Sequence, residues 1–241
     1  MTAALLEVTG LSKRFGGLHA VRDLSLRVDA QEIVALIGPN GAGKTTAFGL
    51  ISGFLTPDAG AIRFRGRPIT GLAPHRVCAL GLARTFQIMR PFPRLSVVCN
   101  VMIGALGRHA DPRAAEARAR AVLEELGLAA KADHPAGSLT LSERKRLELA
   151  KALATEPALL LLDEVMSGLN DTETERLVGE VRAINARGVA ILLIEHVMRA
   201  VMSLAERVVV LDYGERIAEG RPEVVANEPR VIEAYLGNER P

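Results

Sequence analysis

The stretch from Gly38 to Thr46 carries the residue types and spacing needed to bind a chain of phosphates. It fits the pattern G-x-x-x-x-G-K-[ST], in which glycines let consecutive backbone N–H groups point at an anion with no side chain in the way. Lys44 can reach the β- and γ-phosphates of a nucleotide, and the Thr45 hydroxyl can ligate Mg²⁺. The candidate phosphate-binding residues are Gly38, Pro39, Asn40, Gly41, Ala42, Gly43, Lys44, Thr45 and Thr46.

Two elements must position this loop. Residues 33–37 form a short apolar run rich in β-branched side chains, which predicts a buried strand of a parallel sheet. Residues 45–52 predict a helix whose N-terminus adds partial positive charge towards the phosphates. The alternative is a glycine-rich turn with a chance lysine, and the flanking strand and helix argue against it.

A pair of carboxylates ends another predicted buried strand, Leu159 to Glu164. At this position Asp163 can hold Mg²⁺, directly or through water. Glu164, next along, can polarise an attacking water molecule. The alternative is a strand that merely ends in acidic residues, and the phosphate loop upstream argues against that alternative.

Two further polar residues, Gln87 and His196, follow predicted strands at 82–86 and 189–194. Open α/β sheets bind ligands at the carboxyl ends of their strands. The Gln87 amide could ligate Mg²⁺ or position water, and His196 could contact the γ-phosphate and orient Glu164. Either side chain could instead simply be solvated. The other histidines are assigned no role: His19, His75, His109 and His134.

An aromatic residue, Phe15, precedes two turn glycines near the N-terminus. The alternating stretches around it, 6–8 and 24–28, predict antiparallel strands beside the main sheet. Phe15 could stack on an adenine ring, because every base has a π face. It could also be an ordinary core residue.

The middle third of the chain is predicted to be helical. Asp111-Pro112 is typical of a helix start, and Gly127 of a helix end. We therefore expect an α/β fold with a mostly parallel sheet, an antiparallel β subdomain and an inserted helical subdomain. The expected boundaries are 1–86 and 155–241 for the α/β core with its antiparallel part, and 87–154 for the helical insertion, all within one domain of 1–241.

Composition and charge indicate which classes of protein the chain can belong to. The chain has 241 residues, 49% of them hydrophobic, and a formal net charge of +2, so its charge gives no reason to expect nucleic acid. Cys78 and Cys99 match no metal-ligand spacing and are predicted to be reduced and buried. No signal-peptide pattern or apolar run of membrane-spanning length appears, so we expect a protein that works outside the lipid.

Taken in order, these motifs resemble the ATP-binding subunits of ABC transporters over essentially the whole chain. The resemblance implies ATP and Mg²⁺ as cofactors, with Walker A at the phosphate loop and Walker B at Asp163. It also implies that Phe15 stacks on adenine, that Gln87 contacts nucleotide and Mg²⁺, and that Glu164 and His196 are catalytic. Residues 167–170 would be the D-loop, with Asn170 where aspartate is commoner.

The family signature Leu-Ser-Gly-Gly-Gln aligns with Leu139, Thr140, Leu141, Ser142 and Glu143. Both signature glycines are therefore replaced. In the family this segment begins a helix that faces the ATP held by a second subunit. Thr140 to Glu143 also fits a helix capping box, so the segment is either a divergent working signature, which we favour, or only a structural cap.

The subfamily that the chain resembles is an ATPase of branched-chain amino acid importers. The shared segments include 84–87, 169–170, 194–196 and 231–237. The implied function is ATP hydrolysis in a homo- or heterodimer, coupled to solute import through two membrane permeases and, indirectly, an extracellular or periplasmic binding protein. The implied location is cytoplasmic, peripheral on the inner face of the membrane.

Two rival functions are weighed against import. One is a regulatory or weakly hydrolysing ABC module, which the divergent signature suggests. The other is an ABC-type ATPase acting on DNA or ribosomes, whose usual coiled coils, zinc sites or second ATPase domain are missing from this sequence. A permease helix is expected to dock on an apolar set that could otherwise be core: Ile88, Met89, Phe92 and Leu95.

Overall fold

The computed structural model describes residues 4–236. The strands are β1 (Leu6–Phe15), β2 (Leu18–Val28), β3 (Ile33–Ile37), β4 (Ala59–Phe64), β5 (Arg67–Pro68), β6 (Leu82–Arg84), β7 (Leu159–Asp163), β8 (Ala190–Ile194), β9 (Arg207–Asp212) and β10 (Glu215–Gly220). The helices are α1 (Lys44–Ile51), α2 (Pro74–Ala79), α3 (Val97–Ala105), α4 (Pro112–Glu125), α5 (Leu141–Leu153), α6 (Asp171–Ala186), α7 (Met198–Leu204), α8 (Pro222–Val225) and α9 (Pro229–Leu236).

The main sheet has the strand order β10-β9-β3-β8-β7-β6. Strands β9, β3, β8, β7 and β6 are mutually parallel, and only the β9–β10 hairpin is antiparallel. Because β3, β6, β7 and β8 all end at one edge, the segments that follow them meet there. The predicted mostly parallel α/β core is confirmed.

The buried strands face apolar neighbours on both sides, which explains their continuous hydrophobic runs. In β3, Ile33, Ala35 and Ile37 face one apolar cluster, whereas Val34 and Leu36 face another. The second cluster lies between this sheet and the antiparallel sheet β2-β1-β4-β5, with α1 included. The antiparallel β part is thus confirmed, with β1 and β2 longer than the stretches at 6–8 and 24–28 predicted.

Helices α3 to α5 lie between β6 and β7 in the chain. The predicted cap at Asp111 is confirmed, because its carboxylate accepts hydrogen bonds from the backbone N–H groups of Arg113 and Ala114, at 3.3 and 3.2 Å. Gly127 ends the segment at a φ of 62°, where a β-carbon would be strained. Residues of these helices share one apolar cluster with β7 and β8, so the subdomain boundaries at 87 and 154 stay a prediction.

Some expectations were wrong. Cys99 is exposed and Cys78 only half-buried, although both are free, because each lies on a short helix away from its core-facing side. The strand expected at 82–86 ends at Arg84, since Phe86 turns outward to contact Phe54. The alternative that Ile88, Met89, Phe92 and Leu95 are core is wrong for three of them, which are exposed, whereas Met89 is half-buried.

Gly237, in the C-terminal segment used to identify the subfamily, lies outside the described residues, as do residues 1–3. Within residues 4–236, helices long and apolar enough to cross a bilayer are lacking.

The fully buried side chain of Asn100 holds the loop that precedes α3. It accepts from the N–H of Phe92 at 2.8 Å and donates to the carbonyls of Phe92 and Ser96 at 3.1 and 2.9 Å.

We expect Asn100→Ala to lower the free energy of unfolding by about 2–3 kcal/mol, because it leaves buried backbone groups unpaired. Urea unfolding measures this, with the exposed Asn227→Ala as control; equal stability of the two variants would contradict the prediction.

Candidate functional site

The phosphate loop joins β3 to α1 at the edge where the parallel strands end. Gly38, Gly41 and Gly43 have φ values of 146°, 82° and 99°. A β-carbon on Gly43 would lie 2.2 Å from the carbonyl oxygen of Ala20, so only glycine fits. Gly43 caps α1 without any side-chain hydrogen bond, which leaves the N–H groups of the first turn available to an anion.

Lys44 is buried at the centre of the loop. Its ammonium group donates to the carbonyl oxygens of Gly38 and Pro39, at 2.7 and 2.8 Å. Burial lowers the pKa of Lys44, while the nearby Glu164 and Asp163 carboxylates oppose that shift. The Lys44 ammonium group is therefore held inside the loop, near the carboxylates of Asp163 and Glu164.

Asp163 ends β7 and is 1% exposed. Its Oδ2 accepts from Nη2 of Arg84 at 2.8 Å, whereas its buried Oδ1 has no hydrogen-bond partner among the described residues. Asp163 lines a cleft of about 460 Å³ together with Thr45 and Gln87. An orphaned carboxylate oxygen beside a hydroxyl and an amide suits a hard divalent cation, so these residues fit Mg²⁺.

Each carboxylate oxygen of Glu164 is hydrogen-bonded to another side chain. Gln87 donates from Nε2 to Oε2 at 2.6 Å, and Nε2 of His196 lies 2.9 Å from Oε1. Glu164 has a φ of 50°, which is uncommon for a residue with a β-carbon. The structure brings the three predicted residues together, so neither Gln87 nor His196 is merely solvated.

A second cleft, of about 480 Å³, surrounds the phosphate loop. It is lined by Phe15, residues 40–46, Gln87, Glu164 and His196. Phe15 is 46% exposed, so it is not a core residue and its ring is accessible for stacking. The cleft is also lined by three polar residues that were assigned no role from the sequence: His19, Arg22 and Tyr213. His19 and Arg22 lie within β2 and Tyr213 in the turn after β9, and these positions gave no chemical signal in the sequence.

The segment 139–143 forms the start of α5, outside the lining of this second cleft as far as residues 4–236 are concerned. Both bonds of a capping box are present: Glu143 N–H donates to Thr140 Oγ1 at 3.3 Å, and Thr140 N–H to Glu143 Oε2 at 2.9 Å. The backbone bond from Thr140 lowers the pKa of Glu143. Leu141 is exposed and Ser142 buried. The predicted helix capping box is confirmed, and a signature role for this segment stays a prediction.

A buried pair behind Glu164 was missed by sequence reasoning. Lys145 on α5 donates from Nζ to the backbone carbonyl of Glu164 at 2.9 Å. Glu195 accepts from the N–H of Met166 at 2.9 Å, and burial raises its pKa to about 7. Burial also lowers the pKa of Lys145. Their positions on α5 and after β8 gave no signal that they meet.

Family models match two parts of the chain. Residues 21–167 match the family described as ABC transporter, which covers more than half of the chain. Residues 215–240 match a family described as branched-chain amino acid ATP-binding cassette transporter.

Curated relatives align over nearly their whole length. The chain is 40% identical to a high-affinity branched-chain amino acid transport ATP-binding protein, BraF, of Pseudomonas aeruginosa, over 98% of this chain and 99% of that protein. It is 42% identical to the corresponding protein LivG of Salmonella typhimurium, with the same coverage. A lipopolysaccharide export system ATP-binding protein, LptB, of Acidithiobacillus ferridurans is 34% identical over 98% of each chain.

Solved structures agree with the fold. The ADP conformation of an ATP-binding cassette of an ABC transporter superimposes with a TM-score of 0.89 at 30% identity, covering 98% of this chain and 100% of that one. A nucleotide-free cassette gives 0.89 at 29% identity, covering 97% and 99%.

Glu195 makes stability depend on pH. Its pKa is raised from 4.5 to about 7, chiefly by burial, with Lys145 opposing and Glu164 adding to the shift. A raised carboxyl pKa means that the contribution of Glu195 to stability is present at low pH and is lost as pH rises through about 7.

We therefore expect Glu195→Gln to become more stable than wild type as pH rises from about 5 to 8, by at most about 3 kcal/mol. The glutamine keeps an oxygen that accepts from Met166. Urea unfolding across this pH range measures the difference, with the exposed Glu124→Gln as control. A Glu195→Gln profile parallel to that of wild type would disprove the assignment.

Proposed function

The chain belongs to the ABC transporter family of ATP-binding proteins, and from this premise we propose that it is the ATP-hydrolysing subunit of an importer for branched-chain or related amino acids. One observation carries the catalytic part of the proposal. The Glu164 carboxylate is held by Gln87 and His196 at the wall of a cleft that also contains the phosphate loop.

Binding of ATP in this proposal rests on the loop and its helix. The N–H groups at the start of α1 and the Lys44 ammonium group are directed to the phosphates. On binding, the phosphates replace the Gly38 and Pro39 carbonyls as partners of Lys44. Phe15, exposed at the rim of the same cleft, offers its ring to the adenine.

The expected Mg²⁺ ligands are the Thr45 hydroxyl, the Gln87 amide oxygen and Asp163 Oδ1. Asp163 Oδ1 has no hydrogen-bond partner among residues 4–236. The Gln87 amide nitrogen already donates a hydrogen bond to Glu164, so the amide oxygen of Gln87 is left for the cation. Bound there, Mg²⁺ neutralises charge on the β- and γ-phosphate oxygens.

Hydrolysis in this proposal uses Glu164 as general base. A water molecule attacks the γ-phosphorus, its proton passes to the Glu164 carboxylate, and the bond to the β-phosphate oxygen breaks to give ADP and phosphate. His196 and Gln87 fix the direction of the carboxylate through their hydrogen bonds. The strained φ of Glu164 is maintained by the backbone bond from its N–H to the Ile194 carbonyl, at 2.9 Å.

A second ATPase subunit completes the site in this proposal. Segment 139–143 does not line the cleft of its own chain, which fits a role towards the ATP of a partner. The capping box uses Thr140 and Glu143, while Leu141 in the first turn of α5, at the positive end of the helix, is exposed. In this proposal the partner is either a second copy of this chain or a different ATPase.

Membrane permeases are the proposed partners that carry the solute, which places the protein at the inner face of the membrane. A groove of about 320 Å³ between α2 and α3 is lined mainly by apolar atoms. Phe54, Phe86 and Ile103 line it and are 52%, 42% and 48% exposed. Phe92 and Ile88, on the segment expected to dock, are also exposed, so a permease helix can bury its apolar face here.

Amino acid import is favoured over the other transport function suggested by the relatives. Identity to BraF of Pseudomonas aeruginosa is 40% and to LivG of Salmonella typhimurium 42%, against 34% for the lipopolysaccharide export protein. The match at residues 215–240 points the same way. The weakly hydrolysing alternative has less support, because the catalytic residues expected from the sequence meet in one cleft.

Glu164→Gln is expected to bind ATP but to lower turnover by about a hundredfold or more, because the general base is lost. Exposed Glu175→Gln serves as control. Phosphate release measured against protein concentration should rise more steeply than in proportion for a self-sufficient dimer. ATP binding without turnover in wild type calls for a different partner ATPase, whose addition should then restore turnover. If Glu164→Gln hydrolyses ATP at the wild-type rate, the assigned base is wrong.

Ile103→Glu is expected to abolish co-purification with the cognate permeases, because it buries a charge in the docking groove. ATP affinity should stay within about twofold, since Ile103 is not part of the nucleotide cleft. Val224→Glu, also at an exposed apolar residue but on α8, is the control. Intact complexes with Ile103→Glu would rule out this groove as the permease contact.

A further inference from the structure

Arg84 is a charged side chain that the proposed mechanism does not use. It ends β6, beside β7, and its side chain is 9% exposed. Nη2 donates to Asp163 Oδ2 at 2.8 Å, and Nη1 donates to Ser52 Oγ at 3.3 Å. A buried arginine therefore bonds to one oxygen of the carboxylate that we assign to Mg²⁺.

Three phenylalanine rings surround the guanidinium group. Its central carbon lies 5.7 Å from the ring centroid of Phe48, 5.8 Å from that of Phe54 and 5.4 Å from that of Phe86. Phe54 and Phe86 meet edge to face, with centroids 5.4 Å apart and planes at 86°. Such rings attract a cation and also restrict how its plane can turn.

The two oxygens of Asp163 are thereby distinguished. Oδ2 is taken by Arg84, whereas Oδ1 is buried without a partner on the described residues. The N–H of Asp163 donates to Thr85 Oγ1 at 3.1 Å, which fixes the backbone on the same side. With Oδ2 and the backbone fixed, Oδ1 is held in one direction, on a residue that lines the cleft together with Thr45 and Gln87.

We propose that Arg84 is a positioning residue for the metal: caged by Phe48, Phe54 and Phe86, it holds Asp163 Oδ2 so that Oδ1 is presented to Mg²⁺. This inference rests on the proposed function, because it takes Asp163 as a ligand of the Mg²⁺ that accompanies ATP. Partners of metal-ligating carboxylates commonly change metal affinity by about 10–100-fold when they are removed.

A charge effect and a positioning effect of Arg84 predict opposite changes in Mg²⁺ affinity when the arginine is removed. The Arg84 guanidinium repels Mg²⁺, so on charge alone its removal would strengthen binding of the cation. If Arg84 acts by orienting the carboxylate, its removal weakens that binding instead, because Asp163 gains other side-chain orientations. The sign of the effect therefore decides whether the arginine acts through its geometry.

The test measures the Mg²⁺-dependent gain in ATP affinity and does not depend on turnover. In the Glu164→Gln background, binding of a fluorescent ATP analogue is titrated in EDTA and in excess Mg²⁺. We expect Arg84→Gln to reduce the ratio of these affinities about tenfold, with the affinity in EDTA kept within about twofold. Arg84→Lys should recover part of the gain, since a lysine keeps the charge but not the planar fork.

Two further variants separate positioning from general damage. Phe54→Ala loosens the cage without changing charge and should reduce the gain in the same direction, but less. Arg207→Gln removes another half-buried arginine, paired with Glu32 at 2.8 Å, and should leave the gain unchanged. Should Arg84→Gln fail to fold, Arg84→Lys and Phe54→Ala still carry the test.

The outcomes are distinguishable. If the parent shows a Mg²⁺-dependent gain and folded Arg84 and Phe54 variants keep all of it or increase it, the positioning role of Arg84 is overturned while the proposed function stands. If the parent itself shows no gain, Asp163 is not the metal ligand, and the metal part of the proposed function is overturned together with the role of Arg84.

Discussion

The parallel pairing of β7 with its two neighbours is the constraint on which the site depends. Asp163 pairs with Ile194 of β8, and Leu161 with Arg84 of β6. These registers place the residues that follow each strand side by side, so Gln87 and His196 reach opposite oxygens of Glu164. A shift of one residue would turn Asp163 to the other face of the sheet and separate these contacts.

The site concentrates charge where water is scarce. Lys44, Arg84 and Lys145 lie among Asp163, Glu164 and Glu195, and most of these side chains are nearly inaccessible. Buried charges of this kind are costly unless they are paired and hydrogen-bonded. Each of the three cations donates to an oxygen of the loop or of β7 and its following residue. Three buried polar atoms here have no hydrogen-bond partner among the described residues: Asp163 Oδ1, Glu195 Oε2 and Arg84 Nε. The unpaired oxygen of Asp163 belongs to a residue that lines the cleft, whereas that of Glu195 accompanies a raised pKa.

The region around α5 shows how one segment can serve two purposes. Thr140 and Glu143 begin the helix with a capping box, and Leu141 and Ser142 between them stand where the family signature has glycines. Lys145, one turn further along, binds the backbone of Glu164. The start of α5 is therefore connected to the backbone of Glu164 in its own chain, although residues 139–143 do not line the cleft of that chain.

The amino acid sequence by itself determined the chemistry and the class of fold. The phosphate loop, the strand that ends in Asp163-Glu164 and the polar residues after two more strands were readable, because each depends on local spacing within one strand–loop–helix unit. The caps at Asp111 and Thr140 were readable for the same reason.

Only the tertiary structure decided which distant residues meet. That Arg84 bonds to Asp163, that Lys145 reaches the Glu164 carbonyl and that Tyr213 lines the nucleotide cleft all follow from the order of strands in the sheet. Strand order is set by packing across the whole chain and leaves no periodic signal in any one segment. Cys99 and Phe92 are both exposed in the structure. Their exposure could not be predicted for the same reason, since a side chain is buried only by what lies opposite it.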